Sequence, residues 1–382
     1  MDALPASRIH LMIMGIDCNA SNCRLIRLWN WFIRMLCVTL LVARIISQII
    51  GLFFFNNVLL LNTAIIGIYS LQLLSYVFMF CKTKKLFIVL KAAIEQMDKK
   101  MITKIQAYDR RQSTITLVTL ITDVVLVLCY VSVVGIGREA SVILLGARDS
   151  FDPVVLKFLF LVTVFLCYLH TFMMQFYLSI LFLTIISAKQ MQQEFMRSEI
   201  SGQPDYEMMQ RLLQRQNKTM RTVNEEAAIM PLTLLSMEFV GFACAISFLV
   251  INSSEMGITI QFAALVNGAM NVLLVKAIIQ LITLGNKCCR SMLDAWKIAE
   301  QSVAEPFFAA PCSVMSVTSQ KALKFFLIKE SIVPPTVTDN IVIDRSLILN
   351  FFNQLIPFTV MMFTTLNEFQ NNATTTAEIA YS

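Results

Sequence analysis

Long apolar stretches alternate with amphipathic, charged ones along this chain. A helix crossing a bilayer needs about 20 mostly apolar residues. Seven stretches meet that length: Trp29–Phe55, Val58–Cys81, Thr114–Ile136, Val154–Ser187, Ala228–Ile251, Ile260–Leu284 and Ser346–Phe369. The fourth exceeds one perpendicular crossing, so it is expected to tilt or to continue as a helix into water. The first carries Arg34 and Arg44, which blur its limits. Between the spans, Lys84–Gln112 places Leu86, Val89, Leu90, Ala93, Ile94 and Met97 at helical spacing. Asp205–Glu226 repeats the pattern with Met208, Met209, Leu212 and Leu213, and Lys287–Ala304 with Met292, Leu293, Trp296 and Val303. These stretches predict helical extensions of the spans that pack together beside the membrane. For Lys82–Lys104 the basic composition leaves a second reading, an amphipathic helix lying on an anionic leaflet. Pro334-Pro335 sets a break before the last span. The fold class expected is all-α: a polytopic membrane protein with seven transmembrane helices and a helical bundle beside them.

Composition agrees. Of 382 residues, 57% are hydrophobic and 15% charged, against about 25% charged in a soluble domain. A soluble fold of this length could not hide that much apolar surface, which excludes a cytosolic enzyme, a disordered chain and a nucleic-acid-binding module. Charge placement then sets orientation, because cytoplasmic loops collect Lys and Arg. Lys82, Lys84, Lys85, Lys91, Lys99, Lys100, Lys104, Arg110 and Arg111 lie between spans two and three. Further Lys and Arg residues lie before span one, between four and five, and between six and seven, whereas the opposite side holds only Arg138 and Arg148. The N-terminus is therefore expected in the cytoplasm and the C-terminus outside.

This divides the chain into a cytoplasmic segment 1–28, spans one to six over 29–284 with cytoplasmic helical loops at 82–113 and 188–227, a cytoplasmic helical segment 285–345, a last span 346–369 and an extracellular tail 370–382. The first residues lack a signal-peptide apolar region, so the first span is expected to direct insertion. The sequons Asn252-Ser-Ser and Asn372-Ala-Thr fall outside under this topology, and Asn19-Ala-Ser and Asn217-Lys-Thr inside. The ten cysteines are scattered through spans and inner loops and form no disulfide framework. Cys288-Cys289, just inside span six, is either a palmitoylation site or a pair of plain thiols.

Seven spans with an inner N-terminus invert the arrangement of a G-protein-coupled receptor. They resemble the arthropod gustatory and odorant receptors. Val342-Ile-Asp-Arg-Ser-Leu347 is similar to the gustatory-receptor segment leading into the last span. That span in the family ends in Thr-Tyr, five apolar residues and Gln-Phe. Here the matching stretch is Met361-Met-Phe-Thr-Thr-Leu-Asn-Glu-Phe369, which keeps Phe369, has Glu368 for the Gln and Met361-Met362 for Thr-Tyr. The resemblance covers the whole chain as topology and loop length, but only the region of the last span as motif, so it describes a divergent member. It implies a multi-pass plasma-membrane protein of chemosensory neurons. It implies a homo- or heterotetrameric, ligand-gated, non-selective cation channel surrounded by membrane lipids. The last span would line the pore, the cytoplasmic helices would form a shared anchor, and a small tastant would bind within the spans. No cofactor, metal, nucleic acid or enzymatic activity is implied.

The candidate chemistry follows. A pore needs polar groups facing water and a constriction. The last span offers Asn350, Asn353, Gln354, Thr359, Thr364, Thr365 and Glu368, with Phe369 near the gate and Pro357 expected to kink or break the helix. A ring of Glu368 would attract cations; a lone Glu368 would merely face outer water. Asp123, Glu238 and Lys276 are ionisable residues inside spans, and they read as a packing pair or as a gating element. Ligand contacts are sought among aromatic and amide groups: Tyr69, Tyr130, Tyr168, His170, Asn267 and Asn271. With only two histidines in the chain, a histidine-based metal site is not expected. A transporter and a coupled receptor are the competing functions. No internal repeat supports the first. The second would need an outer N-terminus and an Asp-Arg-Tyr or Asn-Pro-x-x-Tyr motif, and both motifs are absent.

Overall fold

A computed structural model describes residues 4–16, 24–54, 59–133, 153–200, 206–227, 230–232, 235–236, 279–280, 283–287, 290–291, 294, 297, 333–338, 341–343, 346–347, 349–361 and 363–364. Six labelled helices dominate these: α1 (Pro5–Ile13), α2 (Arg24–Phe54), α3 (Leu59–Ile94), α4 (Lys99–Val133), α5 (Pro153–Ile200) and α6 (Tyr206–Ala227). A further helix occupies 349–361. The fold class is all-α apart from one local feature, a two-stranded antiparallel ribbon of β1 (Thr336–Thr338) and β2 (Ile341–Val342). It forms where the Pro334-Pro335 pair had set a break: two prolines cannot continue a helix, and the extended chain after them folds back on itself.

The expected extensions are real and continuous. α3 runs through Lys82–Lys85 without interruption, and α4 carries the Lys99–Gln112 stretch directly into its apolar half. Leu86, Leu90, Ala93, Ile94 and Met97 are all buried, so the stripe on Lys82–Lys104 faces protein, and the alternative of a helix lying on the leaflet is not adopted. α5 is 48 residues long, about 72 Å at 1.5 Å per residue, so the overlong fourth stretch is part of one helix that runs on to Ile200. Its second half needs a different explanation from its first. Thr171–Gln190 is apolar enough to cross a bilayer, yet most of it is buried inside the protein. Phe172, Met173, Phe176, Leu181, Leu183 and Ile186 form the spine of the core there. Hydropathy alone cannot separate lipid from protein interior, because both reward the same side chains.

The elements are pinned by side-chain amides. Gln190 accepts from the Asp98 amide at 3.2 Å and donates to the Gln96 carbonyl at 3.1 Å, which locks the α3–α4 turn onto α5. Gln216 donates to the Thr184 carbonyl at 3.0 Å and accepts from the Ser187 hydroxyl at 2.9 Å. Glu226, buried on α6, pairs with Lys82 at 3.7 Å and Lys85 at 3.4 Å on α3. At Gly285 a Cβ would meet the Ile343 carbonyl at 2.7 Å, so only glycine lets the 283–287 helix approach that backbone.

The N-terminal segment, expected to be a plain cytoplasmic lead-in, is a docked helix. Pro5 occupies its first turn, where a missing N–H costs nothing. It closes in a Schellman motif: Ile16 N–H donates to Leu11 at 2.8 Å, Gly15 N–H donates to Met12 at 3.0 Å, and Gly15 adopts φ +74°. The accompanying apolar contact is satisfied, since Leu11 and Ile16 are both buried.

Candidate functional site

Three features stand out among the described residues. The first is the socket of α1. Asp109 on α4 is fully buried, at 0% exposure. Its carboxylate accepts the Ala6 and Ser7 backbone N–H groups at 2.9 and 3.1 Å, the Ser7 hydroxyl, and the Ser179 hydroxyl at 3.2 Å. A buried anion at the N-terminus of a helix is doubly favoured, by the orphan N–H groups and by the helix dipole. One turn further along, His10 is 3% exposed. Its Nδ1 lies 2.5 Å from the Tyr168 hydroxyl and its Nε2 2.6 Å from the Ser113 hydroxyl. Burial holds the imidazole below its ordinary pKa, with the Asp109 carboxylate pulling partly the other way. At the far end, Tyr76 donates to the Met14 carbonyl at 2.7 Å and Arg34 to the Gly15 carbonyl at 2.6 Å. α1 therefore ties α2, α3, α4 and α5 together.

The second feature is a set of polar side chains on α2, α3 and α5. The Arg44 guanidinium lies 5.4 Å from the centroid of the Tyr69 ring. One turn on, Gln48 is fully buried with both amide atoms unpartnered. On α5, Gln175 is likewise buried with its amide unmatched. Unmade hydrogen bonds in apolar surroundings are costly, and a ligand supplying a hydroxyl or carbonyl would recover that cost.

The third is the last helix. Its residues 349–361 run unbroken through Pro357, so the proline does not end it. The helix presents three faces. Phe351, Leu355 and Phe358 turn toward the subunit, Leu349, Phe352 and Ile356 are exposed on an apolar face, and Asn350, Asn353, Gln354 and Pro357 are exposed on the adjoining one, which Val360 and Met361 continue two turns beyond Asn353 and Gln354. Thr364, two turns beyond Pro357, continues the polar face.

Asn217 and Asn224 connect this helix to the bundle. Asn217 accepts from the Val333 amide at 3.1 Å. Asn224 donates to the Pro334 carbonyl at 2.8 Å and accepts from the Thr336 amide at 3.1 Å. The sequon at Asn217 is thus a structural clamp rather than a glycan acceptor.

No family model matches the chain, and no curated protein matches it by sequence. Solved structures do. The insect olfactory receptor OR5 from Machilis hrabei in complex with eugenol superposes with a TM-score of 0.67 at 12% identity, over 95% of this chain and 96% of that one. This chain has the insect olfactory receptor fold. A second structure of the same receptor gives a TM-score of 0.57 at 14% identity, over 93% and 96% of the two chains. At such identity the likeness is one of fold. It extends the receptor fold over nearly the full length of both chains, which agrees with the resemblance drawn from topology and the last span.

Within this receptor fold, Tyr69 lies under Arg44, and Tyr168 has its hydroxyl committed to His10. Tyr130, His170 and Asp123 sit on α4 and α5, but their side chains lie outside the described residues, as do Glu238, Lys276, Asn267, Asn271, Thr365, Glu368 and Phe369. Sequence reading missed Asp109, His10, Asn217 and Asn224. One signal pointed to Asp109: it interrupts the stripe of Met101, Ile105, Gln112 and Thr116, all of them buried, and an acid on an inward face needs a partner. Pro5 and Gly15, bracketing an apolar nine-residue helix, were the corresponding signal for α1.

Proposed function

We propose that this chain is a subunit of a chemosensory, ligand-gated, non-selective cation channel whose pore is lined by its last helix. The observation that carries this is the polar face of that helix. Asn350, Asn353 and Gln354 are exposed on a helix whose other exposed face is apolar. Amides cannot face hydrocarbon at acceptable cost. They face water when copies of the chain surround an axis, while Leu349, Phe352 and Ile356 meet lipid or a neighbouring subunit. Four copies would place these amides around one conduit and Glu368 at its outer mouth, with Phe369 at the constriction. The N-terminus would be cytoplasmic and the C-terminus outside, in the plasma membrane of a sensory cell. A small tastant or odorant would enter between the spans, where Arg44, Gln48 and Tyr69 supply an aromatic wall and unmatched polar groups; the fold it shares with a eugenol-bound receptor supports a ligand of that size.

The test is purified protein in planar bilayers without GTP. Cation current is expected, and a positively charged thiol reagent should block it in Asn353→Cys and Gln354→Cys but not in Phe352→Cys or Ile356→Cys. Absence of current under every condition that keeps the protein folded, or equal block at all four positions, would sink the proposal.

A further inference from the structure

Beside α5, further along it than the contacts with α1, lies a cavity of about 380 Å³. Its apolar wall is Met101, Phe182, Ile185, Ile186 and Leu284, and its rim carries Lys104, Lys189 and Lys287 from three separate helical segments, with Gln193 beside them. Among the described residues lining it, none is acidic. None of the three ammonium groups has a carboxylate within ion-pair distance among the described residues; the ion pairs found there engage Lys82, Lys85 and Lys91. Glu194, the nearest acid along α5, instead accepts from Gln190 at 2.6 Å. Three cations converging on one opening repel each other unless an anion joins them. The volume lies within the range of small-molecule sites.

Lys189 and Lys287 follow the fourth and sixth apolar stretches by two and three residues, whereas Lys104 lies ten residues before Thr114, about 15 Å along α4, so depth alone does not separate a lipid headgroup from a solute. The wall does: an aromatic face suits a planar body better than an acyl chain. We infer that this cavity binds a soluble organic phosphate of nucleotide size, with its phosphates on Lys104, Lys189 and Lys287 and its apolar or aromatic body against Phe182, Met101 and Ile186. Phe182 is already held flat by stacking on Tyr108 at 4.0 Å, a rigid surface for a planar group. Only the solute's access from the cytosol rests on the proposed topology.

The experiment uses the full chain in nanodiscs of neutral phosphatidylcholine, with adenosine triphosphate and inorganic tripolyphosphate as probes in calorimetric titrations. Adenosine triphosphate should bind saturably, and tripolyphosphate, which lacks the body, at least tenfold more weakly. Lys104→Gln, Lys189→Gln and Lys287→Gln should each weaken binding about fivefold, as expected for partly screened charge contacts. All three lysines are exposed, so these variants should keep the wild-type melting temperature. Lack of saturable binding at millimolar probe, or full binding by the triple variant, overturns the inference. Equal affinity for the two probes removes the role of the apolar wall and overturns the organic-phosphate assignment. Competition by phosphatidylserine in the nanodisc would make the site a lipid site instead. Because no current is measured, failure here leaves the channel proposal standing, and failure of the channel leaves this result intact.

Discussion

Replacing Asp109 tests how α1 is held. In Asp109→Ala the Ala6 and Ser7 N–H groups lose their acceptor, and so do two hydroxyls. The hydroxyls can rotate to other acceptors, but the N–H groups are fixed by the helix. A buried donor left unmade costs about 1–3 kcal/mol, so the two together cost about 3–4 kcal/mol. In Asp109→Asn the amide oxygen can still take both N–H groups, while its NH₂ group donates to hydroxyls that turn to accept. Only the charge is lost, at about 1–2 kcal/mol. Hydrogen-exchange mass spectrometry on the 4–16 peptide reads undocking directly. At about 1.4 kcal/mol per tenfold, exchange should accelerate roughly 140- to 700-fold in the alanine variant and roughly 5- to 30-fold in the asparagine variant. Unchanged protection in Asp109→Ala would refute the socket. Equal loss in both variants would show that long-range charge, not matched acceptors, holds the helix.

Three further outcomes are expected. The imidazole of His10 is held below its ordinary 6.5, so the undocked state binds more protons and docking is complete above that pH and weakens as pH falls through it; protection of α1, corrected for intrinsic exchange, should drop between pH 7 and 5.5 in wild type but stay flat in His10→Gln. Gly15→Ala should lower the melting temperature by an amount equivalent to at least 2 kcal/mol, since φ +74° disfavours a side chain and the added Cβ would sit 2.6 Å from the Asn30 carbonyl; an unchanged melting curve would contradict the closeness of α1 to α2. Asn224→Ala removes two hydrogen bonds to the strap before the last helix, about 2 kcal/mol, and should shift the channel's open probability without changing unitary conductance; a changed conductance would place Asn224 in the pore instead.

Much of this architecture was legible because a membrane leaves a coarse signature. Apolar length, loop charge and the 3.6-residue stripes at Leu86–Met97 follow from hydration energies that act residue by residue. The continuity of α3, α4 and α5 past the bilayer could be read from those stripes without knowing any partner. The lower half of α5 could not be placed by the same reasoning, since Thr171–Gln190 would be equally apolar against lipid or against α4 and α6. Nor could the site be fixed: Tyr69 and Tyr168 were both chosen as pocket aromatics, and only the packing shows one beneath Arg44 and the other bonded to His10.

The sequence by itself determined that this is a helical membrane chain with long helical extensions of its apolar stretches and a polar last helix, since each of those properties is the sum of local choices. Tertiary structure decided which polar residues have partners. Asp109 with Ser7, His10 with Tyr168 and Asn224 with Thr336 lie 102, 158 and 112 residues apart. A buried polar side chain is tolerable only once its partner arrives, and nothing in the neighbourhood of either residue along the chain says which partner that will be.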